Sequence, residues 1–226
     1  MRSPFFCDIV KHMFVGYIYP FLCLIVPTIF IEFFGAIYYW RESKGNFNKT
    51  IMQKHIIQVF ILMIYVFGVI KVTGFGALAD VKNCRGLENF HKINMDFSVF
   101  RNFSWDTWRT DFYLNVLLFV PFGFLLPYIW PEYKRLARTL IMGFVFSLMI
   151  EIAQYFNWRL SDVDDLICNV VGTFVGYMIW LGISPALKKN NYKNVGLFAG
   201  EVAICIILGL LSIFFLYNRW IRGYRI

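Results

Sequence analysis

From Met13 to Ile31 the chain carries no charged residue, and from Phe112 to Trp130 it again carries none. Runs of this kind match the roughly 20 apolar residues needed to cross the hydrocarbon core of a bilayer. Read at that length, the sequence holds six candidate spans, at about 13–40, 56–79, 112–130, 138–156, 166–187 and 195–217. The runs are long and continuous, whereas barrel strands alternate over about ten residues. The expected fold is therefore all-α: a polytopic membrane protein with about six transmembrane helices in one bundle. The first run is too long for the apolar core of a signal peptide and lacks a small-residue cleavage site.

Composition agrees. Hydrophobic residues make up 59% of the chain and charged residues 16%, against about 25% charged in a soluble domain. A water-soluble surface cannot be covered from that supply. The net charge is +8. Its basic residues are scattered through short loops with no stripe or reading motif, which argues against nucleic acid and for membrane lipids as the partner. The five cysteines, Cys7, Cys23, Cys84, Cys168 and Cys205, form no CxxC, and no His lies at ligand spacing from them. A disulfide framework or zinc finger is not expected.

Charge in short loops sets orientation. Connections 41–54, 131–138 and 188–193 together hold Arg41, Lys44, Lys49, Lys54, Lys134, Arg135, Arg138, Lys188, Lys189 and Lys193. They are expected in the cytoplasm, with both termini and the long connection 80–111 outside. Arg219, Arg222 and Arg225 in the tail oppose that assignment. The long connection carries Trp105 and Trp108 and reads as interfacial.

Polar residues at membrane depth cost free energy unless paired, so each marks a possible site. Glu151 and Gln154 share a face near the end of the fourth span. Arg159 follows in a short turn. Asp162, Asp165 and Asn169 form one stripe at the start of the fifth span, and Asn115 opens the third. Adjacent spans run in opposite directions, so all of these residues are expected at one membrane face, with Asn169 one turn deeper. Glu151, Asp162 and Asp165 are the candidate acid–base or cation-binding groups; Asn115, Gln154, Arg159 and Asn169 are the candidate binding groups. A half-buried carboxylate suits proton transfer, and a guanidinium suits an anion. Structural readings stand beside these. Ser161 or Asp162 makes a good N-cap, Arg159 can neutralise Glu151 or Asp162, and Gln154 and Asn169 can bridge helices.

Gly172 and Gly176 form a GxxxG, a packing signal, and Pro121 with Gly123 suggests a kink in the third helix. Glu32 and Glu201 are single acids in other spans, suited to an interhelical pair with Lys71 or a Tyr, or to transport chemistry. His12, His55 and His91 are expected at interfaces or in solvent, away from any metal. Known intramembrane catalytic motifs are missing from the sequence, with no Gly-x-Gly-Asp, His-Glu-x-x-His or Gly-x-Ser-x-Gly, and the cofactor stays open.

The pattern Asn115-x3-Phe119-x-Pro121-x-Gly123, Glu151-x2-Gln154, Arg159, Asp162-x2-Asp165-x3-Asn169-x2-Gly172 resembles the VanZ-like family of bacterial membrane proteins. Ile93-Asn94-Met95-Asp96-Phe97 resembles that family's N-x-x-P-F segment, with Asp96 where Pro is usual. On this resemblance the chain divides into a first helix and loop (1–55), a VanZ-like bundle (56–217) and a basic tail (218–226). The resemblance implies a multi-pass cell-envelope protein that lowers sensitivity to teicoplanin and related lipoglycopeptides. Two mechanisms stay open: modification of an outer-leaflet lipid or lipid-linked cell-wall precursor, and binding of a headgroup or antibiotic without catalysis. A transporter is less favoured, since no inverted repeat or pair of broken helices is seen.

Overall fold

A computed structural model describes residues 14–43, 48–74, 105–155, 163–189 and 200–221. All regular structure among the described residues is helical. A π-helical turn, Phe14–Ile18, leads into α1 (Tyr19–Glu42). Then follow α2 (Lys49–Thr73), α3 (Trp105–Ile129), a 3-10 turn (Pro131–Lys134), α4 (Leu136–Tyr155), α5 (Val163–Lys189) and α6 (Glu201–Ile221). Five of these helices are long and apolar enough to cross a membrane, and α6 contributes a shorter apolar stretch, Glu201–Phe215. The expected all-α bundle of about six helices is what forms.

The chemistry of the helix ends accounts for the main shift in boundaries. The sequence places the second span at 56–79, but α2 runs Lys49–Thr73. Asn48 is extended and its side-chain oxygen accepts from the Ile51 N–H at 3.1 Å, so the helix starts there. Gly74 ends it with φ +68°, a left-handed cap that a residue with a Cβ rarely adopts. The last helix shifts the other way, starting at Glu201 rather than at residue 195. Of the long connection, Trp105–Asp111 forms the opening of α3, and residues 80–104 lie outside the described residues.

Helix α3 packs most extensively on α5, and α1 packs on α6. Small residues explain the first pair. A Cβ on Gly172 would overlap the Val116 carbonyl, one on Gly176 the Val120 carbonyl, and one on Gly123 the Thr173 carbonyl. The backbones therefore touch, as the GxxxG reading predicts. Helix α3 continues through Pro121 and Pro127, and close approach to α5 is the role found for Gly123. The pairings 116 with 172 and 120 with 176 ascend together, so α3 and α5 run parallel. On α4, Gly143 meets Thr173 and Ser147 bonds Asn169, so α4 runs antiparallel to α5. For α1 and α6, Gly209 meets Leu24 while Glu201 lies near Glu32, again an antiparallel pair.

Helix α2 joins the two groups. Tyr65 donates to the Leu118 carbonyl and stacks on Phe122. Phe119, Phe122 and Phe146 form a fully buried aromatic centre, with ring centroids 4.9 to 6.0 Å apart. The outside is apolar too. Phe30, Phe33, Phe34, Leu117 and Ile141 are each more than half exposed. Such a surface is stable in lipid and unstable in water.

Candidate functional site

Two polar centres occupy opposite ends of the bundle. The first is the one the sequence picks out. Asn115 Nδ2 donates to Asp165 Oδ1 at 2.5 Å, joining α3, nearly three turns in from Trp105, to the first turn of α5. The parallel packing of these helices makes that contact possible. Ser147 with Asn169 and Gly143 with Thr173 share one antiparallel register. Continued by one turn, that register sets Glu151 level with Asp165. Glu151 is buried, at 6% exposure.

The other predicted residues divide. Gln154 Nε2 donates 2.7 Å to the carbonyl of Thr73, tying the end of α4 to the end of α2. Asn169 Nδ2 donates 2.8 Å to Ser147 Oγ, while its Oδ1 has no donor among the described residues. The helix-bridging reading of both residues is thus satisfied geometrically. Arg159 and Asp162 lie outside the described residues. The cluster consists, as far as it is described, of one hydrogen-bonded pair, a level carboxylate and two bridging amides. A carboxylate held by an amide donor can accept further hydrogen bonds, bind a cation or, if it gains a proton, give it up.

The second centre was not assembled by sequence reasoning. Glu32 of α1, His55 of α2 and Glu201 of α6 meet in the interior, at 3%, 2% and 0% exposure. His55 Nε2 and Glu201 Oε1 share a hydrogen bond of 2.6 Å. The expectation that His55 is interfacial or solvated is corrected here. Helix α2 starts at Lys49, so His55 lies two turns inside rather than at a span edge. The pairing of Glu32 with Lys71 is also corrected. Lys71 instead donates to the Gly16 carbonyl, with its ammonium 4.9 Å above the Tyr17 ring. It stands about 24 Å along α2 from His55. An apolar groove of about 490 Å³ between α1 and α2, lined by Ile29, Phe33, Ile37, Met52 and Phe60, has Glu32 in its wall.

The signal for this centre was present in part. Glu32 and Glu201 are acids at membrane depth, costly when unpaired. Their meeting depends on the antiparallel pairing of the first and last helices, which spacing along the chain does not encode.

Comparison with known proteins gives two matches. The VanZ/LLP1 family profile matches residues 21–189. Protein VanZ of Enterococcus faecium is 30% identical over 95 residues, covering 42% of this chain and 58% of that protein. The match thus spans less than two thirds of that relative. No solved structure matches.

Proposed function

The chain belongs to the VanZ/LLP1 family, and from that membership we propose that it is a cell-envelope protein that lowers sensitivity to lipoglycopeptide antibiotics such as teicoplanin. In this reading the Asn115–Asp165 end of the bundle faces outward. It acts there on an outer-leaflet lipid or on a lipid-linked cell-wall precursor. The observation that carries the reading is the 2.5 Å bond between Asn115 and Asp165, with buried Glu151 in register beside it. Two carboxylates at one helix-bundle end, one of them oriented by an amide, suit proton transfer at a headgroup.

A second reading has its own support. Gln154 and Asn169 both spend their amide donors on helix-to-helix bonds. A site whose polar groups are largely engaged suits recognition without catalysis, with the bundle end binding a headgroup or the antibiotic.

Glu151→Gln separates the two. The replacement keeps shape, while proton transfer through that carboxylate is lost, a step that supplies about 10²–10⁴-fold in typical enzymes. Membranes from cells with the unaltered protein, with Glu151→Gln and with no protein are compared by lipidomics and precursor analysis, alongside teicoplanin sensitivity. Catalysis predicts a lipid or precursor species that depends on the protein and disappears in Glu151→Gln. Binding predicts an unchanged profile with protection retained at least in part. Loss of the whole protein with no change in sensitivity overturns both.

A further inference from the structure

We propose that Glu32, His55 and Glu201 bind a divalent transition-metal ion, with Zn²⁺ the best match to the donor set. This centre is independent of the Asn115–Asp165 end. His55 and Thr73 lie about 27 Å apart along α2, close to the full thickness of a bilayer core.

Four observations carry the proposal. First, one ligand atom from each residue lies within 4.8 Å of the others. Second, all three residues are at least 97% buried, on three different helices. Third, neither carboxylate oxygen of Glu32 has a hydrogen-bond partner among the described residues. An unpartnered buried carboxylate is costly, and in membrane interiors such groups mark ion or proton sites. Fourth, in the deprotonated form that ligation requires, two carboxylates and a neutral imidazole would carry a charge of −2, which a divalent ion would cancel.

One imidazole nitrogen and two carboxylate oxygens form a donor set used by zinc and by other imidazole-tolerant first-row metals. Calcium and magnesium favour all-oxygen shells and more ligands. With bonds of about 2.1 Å, tetrahedral ligands stand about 3.4 Å apart. Binding would therefore lengthen the 2.6 Å His55–Glu201 contact and draw Glu32 inward. Three protein ligands leave a fourth position for a water or a small anion. Glu201 lies beyond the segment 21–189 matched by the family profile, so the complete ligand set is not contained in that segment.

The consequence for the fold is direct. The ion would tie α6 to α1 and α2 at the end of the bundle opposite the polar cluster. Metal binding to the folded chain alone would then raise its stability by mass action.

The test uses the full chain, extracted in detergent without chelator and passed through gel filtration. Elemental analysis by inductively coupled plasma mass spectrometry reads the metal carried. About one transition-metal ion per chain is expected, released by a strong chelator with a lower melting temperature and restored by Zn²⁺ alone. Co²⁺ loading of the stripped protein should give the visible d–d band of a tetrahedral site. Glu32→Gln and His55→Gln should each weaken Zn²⁺ by at least about tenfold, the size of effect expected for losing one ligand or its close support. Unaltered protein that carries no metal, shows no Co²⁺ band and keeps its melting temperature with chelator or Zn²⁺ overturns the proposal. The two carboxylates would then be sharing protons. Because the decisive reading is on the unaltered protein, poor folding of a variant does not blur it.

Discussion

A single hydrogen bond joins two helices through Asn115 and Asp165, residues 50 apart in sequence. Both side chains are partly buried, so the bond is screened less than a surface contact. A hydrogen bond to a charged group contributes about 1.5–3 kcal/mol. Asn115→Leu should therefore destabilise the purified protein by about 1–3 kcal/mol, read as a fall in melting temperature in detergent. Asp165→Asn is the informative partner. An amide still accepts from Asn115, so abundance and melting temperature should stay close to those of the unaltered protein. Protection against teicoplanin should fall if the carboxylate charge is used. Equal abundance with full protection in Asp165→Asn would remove the Asp165 charge from the site. This pair was legible in the sequence because both are polar residues where uncharged apolar runs begin. That α3 and α5 run the same way follows from the alternation of spans, but their direct packing was not legible, since an apolar helix presents the same pattern to any neighbour. Glu32 shows the opposite limit: its cost at membrane depth is readable at once, and its partners are not.

The α3–α5 interface depends on atoms that are absent. Gly172 and Gly176 let α5 rest against the Val116 and Val120 carbonyls of α3, and Gly123 returns the favour toward Thr173. Backbone carbonyls cannot rotate away as side chains can, so any Cβ here must push the helices apart. Gly176→Ala should cost about 1–3 kcal/mol, the usual range for overpacking. The larger Gly176→Val should disrupt the pair outright. Gly182 on the same helix is the control, because nothing lies within 4 Å of a Cβ placed there. Gly182→Ala should leave melting temperature unchanged or raise it slightly, through the better helix propensity of Ala. Equal effects at 176 and 182 would refute the packing account. The GxxxG spacing made close packing by α5 readable from sequence, though not the identity of its partner. The start of α2 was readable in principle from the N-cap residue Asn48 before an apolar run. Apolar content alone put the start seven residues late, and that shift moved His55 from the interior to an imagined edge.

Across the whole molecule, the two polar centres fall at opposite ends, and the charged connections sort with them. Glu32, His55 and Glu201 lie toward the end where α1 finishes and where α2 and α6 begin. Connections 41–54, 131–138 and 188–193 belong to this end, and they hold ten of the lysines and arginines. The ends of α2 and α4 and the starts of α3 and α5 belong to the other. The positive-inside rule weights dense charge in short loops, so the first end is expected in the cytoplasm. Single-cysteine labelling in a background lacking the five native cysteines tests this, with Cys23, Cys168 and Cys205 buried and so poorly reactive in any case. Cysteines at Gly45, Lys134 and Asn190 should react with a membrane-impermeant maleimide only after the cells are opened. Cysteines at Phe100, Leu160 and Tyr224 should react in intact cells. Full inversion of both sets would keep the bundle but turn the Asn115–Asp165 end toward the cytoplasm. That outcome would sink action on an outer-leaflet target at this end while leaving the metal centre untouched. Phe100 and Leu160 on opposite sides would break more than orientation. The starts of α3 and α5 could then not share a membrane face, and the hydrogen bond between Asn115 and Asp165 could not form.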